Sequence, residues 1–186
     1  MANLPSPDTQ AKVVSDAAQS FVDHYYDSLN KRQPLAQYYA STSTHLTSAS
    51  VKPDISINGA VVESVSAYEA LLDAQGKKVS YTIGSFDAQP VSPNYALGCP
   101  EALSPSGPGA NKVAKSIRDG DRVSFAVQVN GTIRYGKGED AAEQTQEEET
   151  AFNEAWLLVP HWEALGRNAA RGLRRWVVVS QNFRAF

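Results

Sequence analysis

The first thirty residues carry an apolar stripe at Val14, Ala18, Phe21, Val22, Tyr25 and Leu29, the three-and-four spacing of an amphipathic helix. Ser6-Pro7-Asp8 supplies its start: a capping hydroxyl, a proline at the first helical position, and an acid near the positive end of the helix dipole. Asn30-Lys31-Arg32 makes a basic last turn, and Pro34 then blocks continuation and opens a short second helix over "PLAQYYA". "ISINGAVV" predicts a hairpin, because Asn58-Gly59 tolerates the positive φ angles of a two-residue turn. "SAYEALLDAQG" predicts a third helix, with Ser66 as cap and Gly76 at the exit.

Beyond this point the pattern changes from helical to strand-like. "VSYTIGSFDAQPV" is strand-like up to Pro90. "RVSFAVQVNGTIRYG" alternates, with Phe125, Val127 and Val129 on one face and Ser124, Ala126 and Gln128 on the other. "ETAFNEAWLLVP" and "RRWVVVSQNFRAF" complete the set. The fold class is therefore α+β, with helices gathered on one face of a curved antiparallel sheet. The chain reads as a single domain, 1–186, with insertions near 92–119, 136–149 and 161–173. The first insertion is rich in Pro, Gly and Ser and reads as a loop, and the second holds a like-charge acidic run.

The final strand breaks the alternation. Trp176-Val177-Val178-Val179 is apolar on both sides, so both faces want cover, and the helices can cover only one. Either a second polypeptide covers the other face, or an internal segment such as His161 to Gly172 folds over it. Each outward side chain so covered would contribute roughly 1.5–3 kcal/mol before association costs.

Composition narrows the function classes. Hydrophobic residues make up 42% and charged residues 20% of the chain, ordinary values for a globular protein. The net charge of −3 argues against a globally basic nucleic-acid binder and leaves room for local basic patches. Cys99 is the single cysteine, which fits a reducing compartment. "MANLPSPDTQ" has neither the basic nor the apolar region of a signal peptide, and no apolar run is long enough for a membrane helix.

Candidate chemistry is sparse. "FVDHYYDSLN" brings together residue types used in acid–base catalysis, but on a helix of ~100° per residue Asp23 and Asp27 face away from the apolar stripe and His24 sits on its far flank. Glu154 alternates with Phe152 and Trp156 and points inward. In an apolar pocket its pKa would rise toward a general acid's range, but it has no evident partner in the sequence, and a satisfied polar group in a vestigial pocket is the other reading. His24, His45, His161 and Cys99 have no zinc-ligand spacing, and "RYGKGED" lacks a phosphate-loop setting, so no cofactor or metal is implied. Lys112, Lys115 and Arg118 lie on one insertion, and Arg167, Arg171, Arg174 and Arg175 on or beside another. They read either as a phosphate-contact surface for RNA or as a solvated rim that balances the acidic run.

The order of helix "AAQSFVDHYYDSLNKRQPLAQYY", hairpin "NG", helix "YEALL", strand ending "DAQPV", then "VNGTIRYG", "FNEAWLL" and terminal "W…FR" resembles the nuclear transport factor 2-like family. Within it the chain looks most like the small subunit of the heterodimeric mRNA export receptor, of the fungal type with long loops. The resemblance implies a curved sheet wrapped around three helices and a non-enzymatic role. It also implies pairing with the similar domain of a large subunit, binding of nucleoporin Phe-Gly repeats, and a nuclear location with shuttling to the cytoplasm. The long loops would add contacts to RNA or pre-ribosomes. A homodimeric Ran-type import factor and, more remotely, an isomerase or dehydratase share the fold. The family's C-terminal Phe-Arg is matched by Phe183-Arg184, which implies that Arg184 meets an acidic group of the partner. Strict alternation then sets Val178, Ser180 and Asn182 beside Arg184 on the pairing face, with Ala126 and Gln128 on a neighbouring strand, and turns Val177, Val179 and Phe183 toward the core.

Overall fold

The structure, a computed structural model, describes residues 4–76, 78–104, 110–136, 148–166 and 169–186. Most of the expected second insertion, and Arg167, lie outside them. The first helix, α1 (Pro7–Asn30), begins where the sequence places it. The Ser6 hydroxyl accepts from the Thr9 amide, Pro7 opens the helix, and the apolar stripe is buried. The expected second helix is instead two 3₁₀ turns, Ala36–Tyr38 and Ala40–Thr42, followed by a short helix α2 (Thr44–Ser48) capped by the Ser43 hydroxyl. The strands β1 (Asp54–Ile57) and β2 (Ala60–Val62) form the expected hairpin, with φ of 50° at Asn58 and 85° at Gly59. Helix α3 (Val65–Ala74) starts two residues earlier than expected. Ser64, not Ser66, accepts from the Ala67 amide, because Ser64 keeps extended backbone while Ser66 is already helical. Gly76, at φ 87°, ends it as expected.

Four long strands follow: β3 (Val79–Ser92), β4 (Ser124–Tyr135), β5 (Glu148–Pro160) and β6 (Trp176–Ala185). Between β3 and β4 the expected loop contains a 3₁₀ turn, Glu101–Leu103, and a helix, α4 (Ala110–Arg118), which buries Val113 and Ile117 at a spacing of four. The sheet order is β2-β1-β6-β5-β4-β3. The long strands pair antiparallel, but β1 lies parallel to β6, so the sheet is mixed rather than antiparallel throughout. The hairpin residue Asn58 locks that junction through its backbone N–H and its side-chain oxygen. Its amide donates to the Phe183 carbonyl at 2.8 Å, and its Oδ1 accepts from the Ala185 amide at 2.8 Å.

The main core fills the concave side, between α1, α3 and the inward residues of the sheet. Its centre is aromatic: the Tyr25 and Trp156 rings lie 5.1 Å apart at 70°, and Phe21 meets Trp156 at 5.2 Å and 77°, both edge-on geometries that aromatic quadrupoles favour.

A second core sits elsewhere. Leu46, Val159, Trp162 and Val177 are buried together, with Tyr95, Cys99, Leu103, Leu165 and Val179 packed around them. The reason is a bulge in β6. Leu157 pairs with Ser180 but Leu158 pairs with Val178, so Val179 is an extra residue. The alternation of β6 shifts there. Phe183 points into the main core as expected and Gln181 is buried beside it, but above the bulge Val178 joins them, while Val177 and Val179 pack in the second core on the sheet's other side. The expected outward placement of Val178, and inward placement of Val177 and Val179, are thus reversed. The upper half of β6 is covered by the chain's own insertions, including the turn Trp162–Leu165, rather than by a second polypeptide.

Candidate partner interface

Directly paired residues on neighbouring strands point to the same side of a sheet, so register identifies which side chains share the convex face. Asp87, Gln128, Ala155, Asn182 and Ser56 stand side by side across five strands. The next row is Gln89, Ala126, Leu157, Ser180 and Asp54, and a third is Ser85, Asn130, Asn153 and Arg184. Gln128, Ala155, Asn182 and Arg184 are exposed, while Ala126, Leu157 and Ser180 are half-buried. Small and amide side chains fill the middle of this surface and charges stay toward its margins, a composition suited to the desolvated centre of an interface. Ala126, Gln128, Ser180, Asn182 and Arg184 thus lie on one face, while Val178, fully buried against the helices, does not belong to it. Asn153, Ala155 and Leu157 complete the surface. Their signal was legible, since Phe152, Glu154 and Trp156 alternate with them. The Arg184 guanidinium lies over the hairpin turn, and a Cβ built on Gly59 would stand 3.3 Å from its Nη1.

On the concave side the carboxylate of Glu154 is fully buried. Its Oε2 accepts from the Tyr26 hydroxyl at 2.7 Å and its Oε1 from Gln181 Nε2 at 2.6 Å. Gln181 in turn accepts from the Tyr39 hydroxyl at 2.6 Å and donates to Tyr25 Oη at 3.2 Å. Burial pushes the Glu154 carboxyl up to about 7, against the two donors that pull it down. Both carboxylate oxygens are spent on structural partners. Neither Glu154 nor Gln181 lines the cavities of about 620, 220 and 530 Å³ along the helices.

The N-terminal aspartates and His24 lie at the surface, as the helical wheel implies. Asp23 accepts from Gln19, Asp27 pairs with Lys31 at 2.8 Å, and His24 Nδ1 is 2.6 Å from the Ser20 carbonyl oxygen. Among the described residues, no group of three His, Cys, Asp or Glu side chains could hold a metal, and no helix is long and apolar enough to cross a membrane.

The basic residues divide by partner. Lys112, Lys115 and Arg118 are exposed on one side of α4, and Arg171 is exposed as well. Arg174 donates to the Tyr38 hydroxyl at 2.9 Å and lies 4.3 Å above that ring, so it is held as a structural contact. Arg175 pairs with Asp121, which also accepts from Ser116 of α4, so the two basic segments meet at this point. Glu163 ties the third insertion to the start of α2. Burial pushes its carboxyl up, but hydroxyls of Ser43 and Thr44 and the His45 amide outweigh that and bring it down to about 2.

A chain in the structure of Chaetomium thermophilum Mex67 NTF2-like domain complexed with Mtr2 superimposes with a TM-score of 0.76 at 28% identity, covering 92% of this chain and 98% of its own. The chain has the nuclear transport factor 2-like fold. A chain in the structure of a Sac3N peptide bound to Mex67:Mtr2 matches with the same TM-score and coverage at 27% identity. Mtr2 by itself gives 0.73 at 25% identity, again over 92% of this chain. No family model and no curated protein matches the chain. The NTF2-like resemblance read from the order of the sequence motifs therefore holds in three dimensions, together with its narrower likeness to Mtr2.

Proposed function

We propose that this chain is the non-enzymatic small subunit of a heterodimeric mRNA export receptor, and that it pairs through its convex sheet face with the NTF2-like domain of a larger, Mex67-type subunit. The observation that carries this reading is the superposition on Mtr2 structures over 92% of the chain at 25–28% identity. The exposed, weakly charged rows through Gln128, Ala155 and Asn182 support it, since a partner sheet could bury them at little desolvation cost. Arg184, at the margin, is the residue to meet an acid across the interface, where a charge pair selects the partner and fixes register. The engagement of Glu154 by Tyr26 and Gln181 supports a non-catalytic interior. Such a receptor works in the nucleus and at the pore, where the pair binds Phe-Gly nucleoporin repeats. Lys112, Lys115, Arg118 and Arg171 add sequence-tolerant RNA contacts through phosphate.

The test is to mix the purified chain with the NTF2-like domain of the large subunit from the same organism and measure mass by light scattering. A 1:1 complex is expected, and Arg184→Glu should weaken it tenfold or more. A chain that stays monomeric, or forms a homodimer that binds Ran-GDP, refutes the assignment.

A further inference from the structure

One sheet edge is long and open. Among the described residues, β3 ends the sheet and only β4 pairs with it. At its beginning the chain protects this edge itself: Asn30 of α1 donates Nδ2 to the Tyr81 carbonyl at 2.9 Å and accepts from the Tyr81 amide at 2.8 Å, as a neighbouring strand would. Further along, from Thr82 to Ser92, no backbone group outside β4 pairs with the strand among the described residues. That stretch contains no lysine or arginine, the residues that usually discourage strand addition at an edge, and its proline, Pro90, lies toward the far end.

Beside the open edge runs a groove of about 530 Å³ between α1 and β3. Ile83 and Phe86, both half-buried, line it, with Val22 and Tyr26 beneath. Its helical rim carries the exposed Asp23 and Asp27, of which Asp27 pairs with Lys31 and Asp23 accepts from the neutral Gln19. Backbone donors and acceptors along one side, apolar footholds behind them and acids on the rim describe the receptor for an extended peptide. A second copy of this chain fits poorly, since edge-to-edge pairing would bring two sets of these aspartates together.

We propose that the α1–β3 groove and the open edge of β3 form a docking site for an extended peptide segment that alternates apolar residues with lysine or arginine and adds to the sheet as a strand. The site is separate from the convex face and does not rest on the export reading. The probe is a fluorescein-labelled heptapeptide, Lys-Val-Lys-Val-Lys-Val-Lys, titrated with the full chain by anisotropy, with an Glu-Val alternating heptapeptide as control. Saturable binding of the basic peptide alone is expected, together with amide-exchange protection confined to residues 82–92. The double variant Asp23→Lys, Asp27→Lys changes only exposed positions, and should lower the affinity at least tenfold while the circular dichroism stays unchanged. Absence of saturable binding, equal binding of the acidic peptide, protection elsewhere, or a self-dimer that occupies β3 would each overturn the proposal.

Discussion

The buried Glu154 makes stability depend on pH in a direction unusual for a carboxylate. Its folded value of about 7 stands above the ordinary 4.5, so the native state holds the proton more tightly than the unfolded chain. Its contribution is therefore greatest at or below pH 4.5, falls as pH rises toward 7, and is flat beyond. At ~1.4 kcal/mol for each tenfold in proton affinity, the loss across that window is on the order of 3 kcal/mol. The substitution Glu154→Gln keeps the shape and the capacity to bridge Tyr26 and Gln181, but cannot ionise. Urea unfolding of both proteins at half-unit steps from pH 4.5 to 8.5 isolates the group, because every other titration is common to the two curves. The variant should match the parent near pH 4.5 and exceed it by about 3 kcal/mol at pH 8. Parallel curves, or a parent that gains on the variant as pH rises, would refute the reasoning.

Other expectations rest on packing and charge. Trp162→Ala empties the second core and removes the bond from Nε1 to the Leu97 carbonyl, so it should cost ~3–5 kcal/mol in urea unfolding. Gly131→Ala should cost at least ~1–3 kcal/mol, because its Cβ would lie 2.7 Å from Phe152 Cε1 in the core, and thermal melting will read it. Replacing Lys112, Lys115 and Arg118 together by alanine should flatten the salt dependence of single-stranded RNA binding by a slope of about 2, with little change at high salt.

Much of the fold was legible because it is written locally. The stripe from Val14 to Leu29, the Asn58-Gly59 turn and the alternation in β4 each declare an element without reference to the rest of the chain. What the sequence hid depends on distant partners. Nothing near Val179 announces a bulge, since the extra residue exists only relative to the register of β5. The parallel placement of β1 beside β6 joins segments more than 120 residues apart. Glu154 lacked a visible partner because Tyr26 lies 128 residues away, although Gln181 sits on the adjacent strand. Helix α4 was legible in principle: Val113 and Ile117 are spaced by four, but the Pro, Gly and Ser around them read as loop. On the convex face, the positions Ser180, Asn182 and Arg184 followed from simple alternation, which held below the bulge and failed at Val178 above it.

The single extra residue in β6 has a consequence for how such a chain can change. Above Val179 the strand's outward side chains belong to the molecule's own cap; below it they are surface. The cap, carried by the loops around Tyr95, Leu103 and Trp162, is thus a self-contained module whose footprint stops at the bulge. Its loops can lengthen, shorten or acquire new charge while the rows through Gln128 and Asn182 keep their spacing, leaving room for the periphery to be remodelled without rewriting the surface a partner reads.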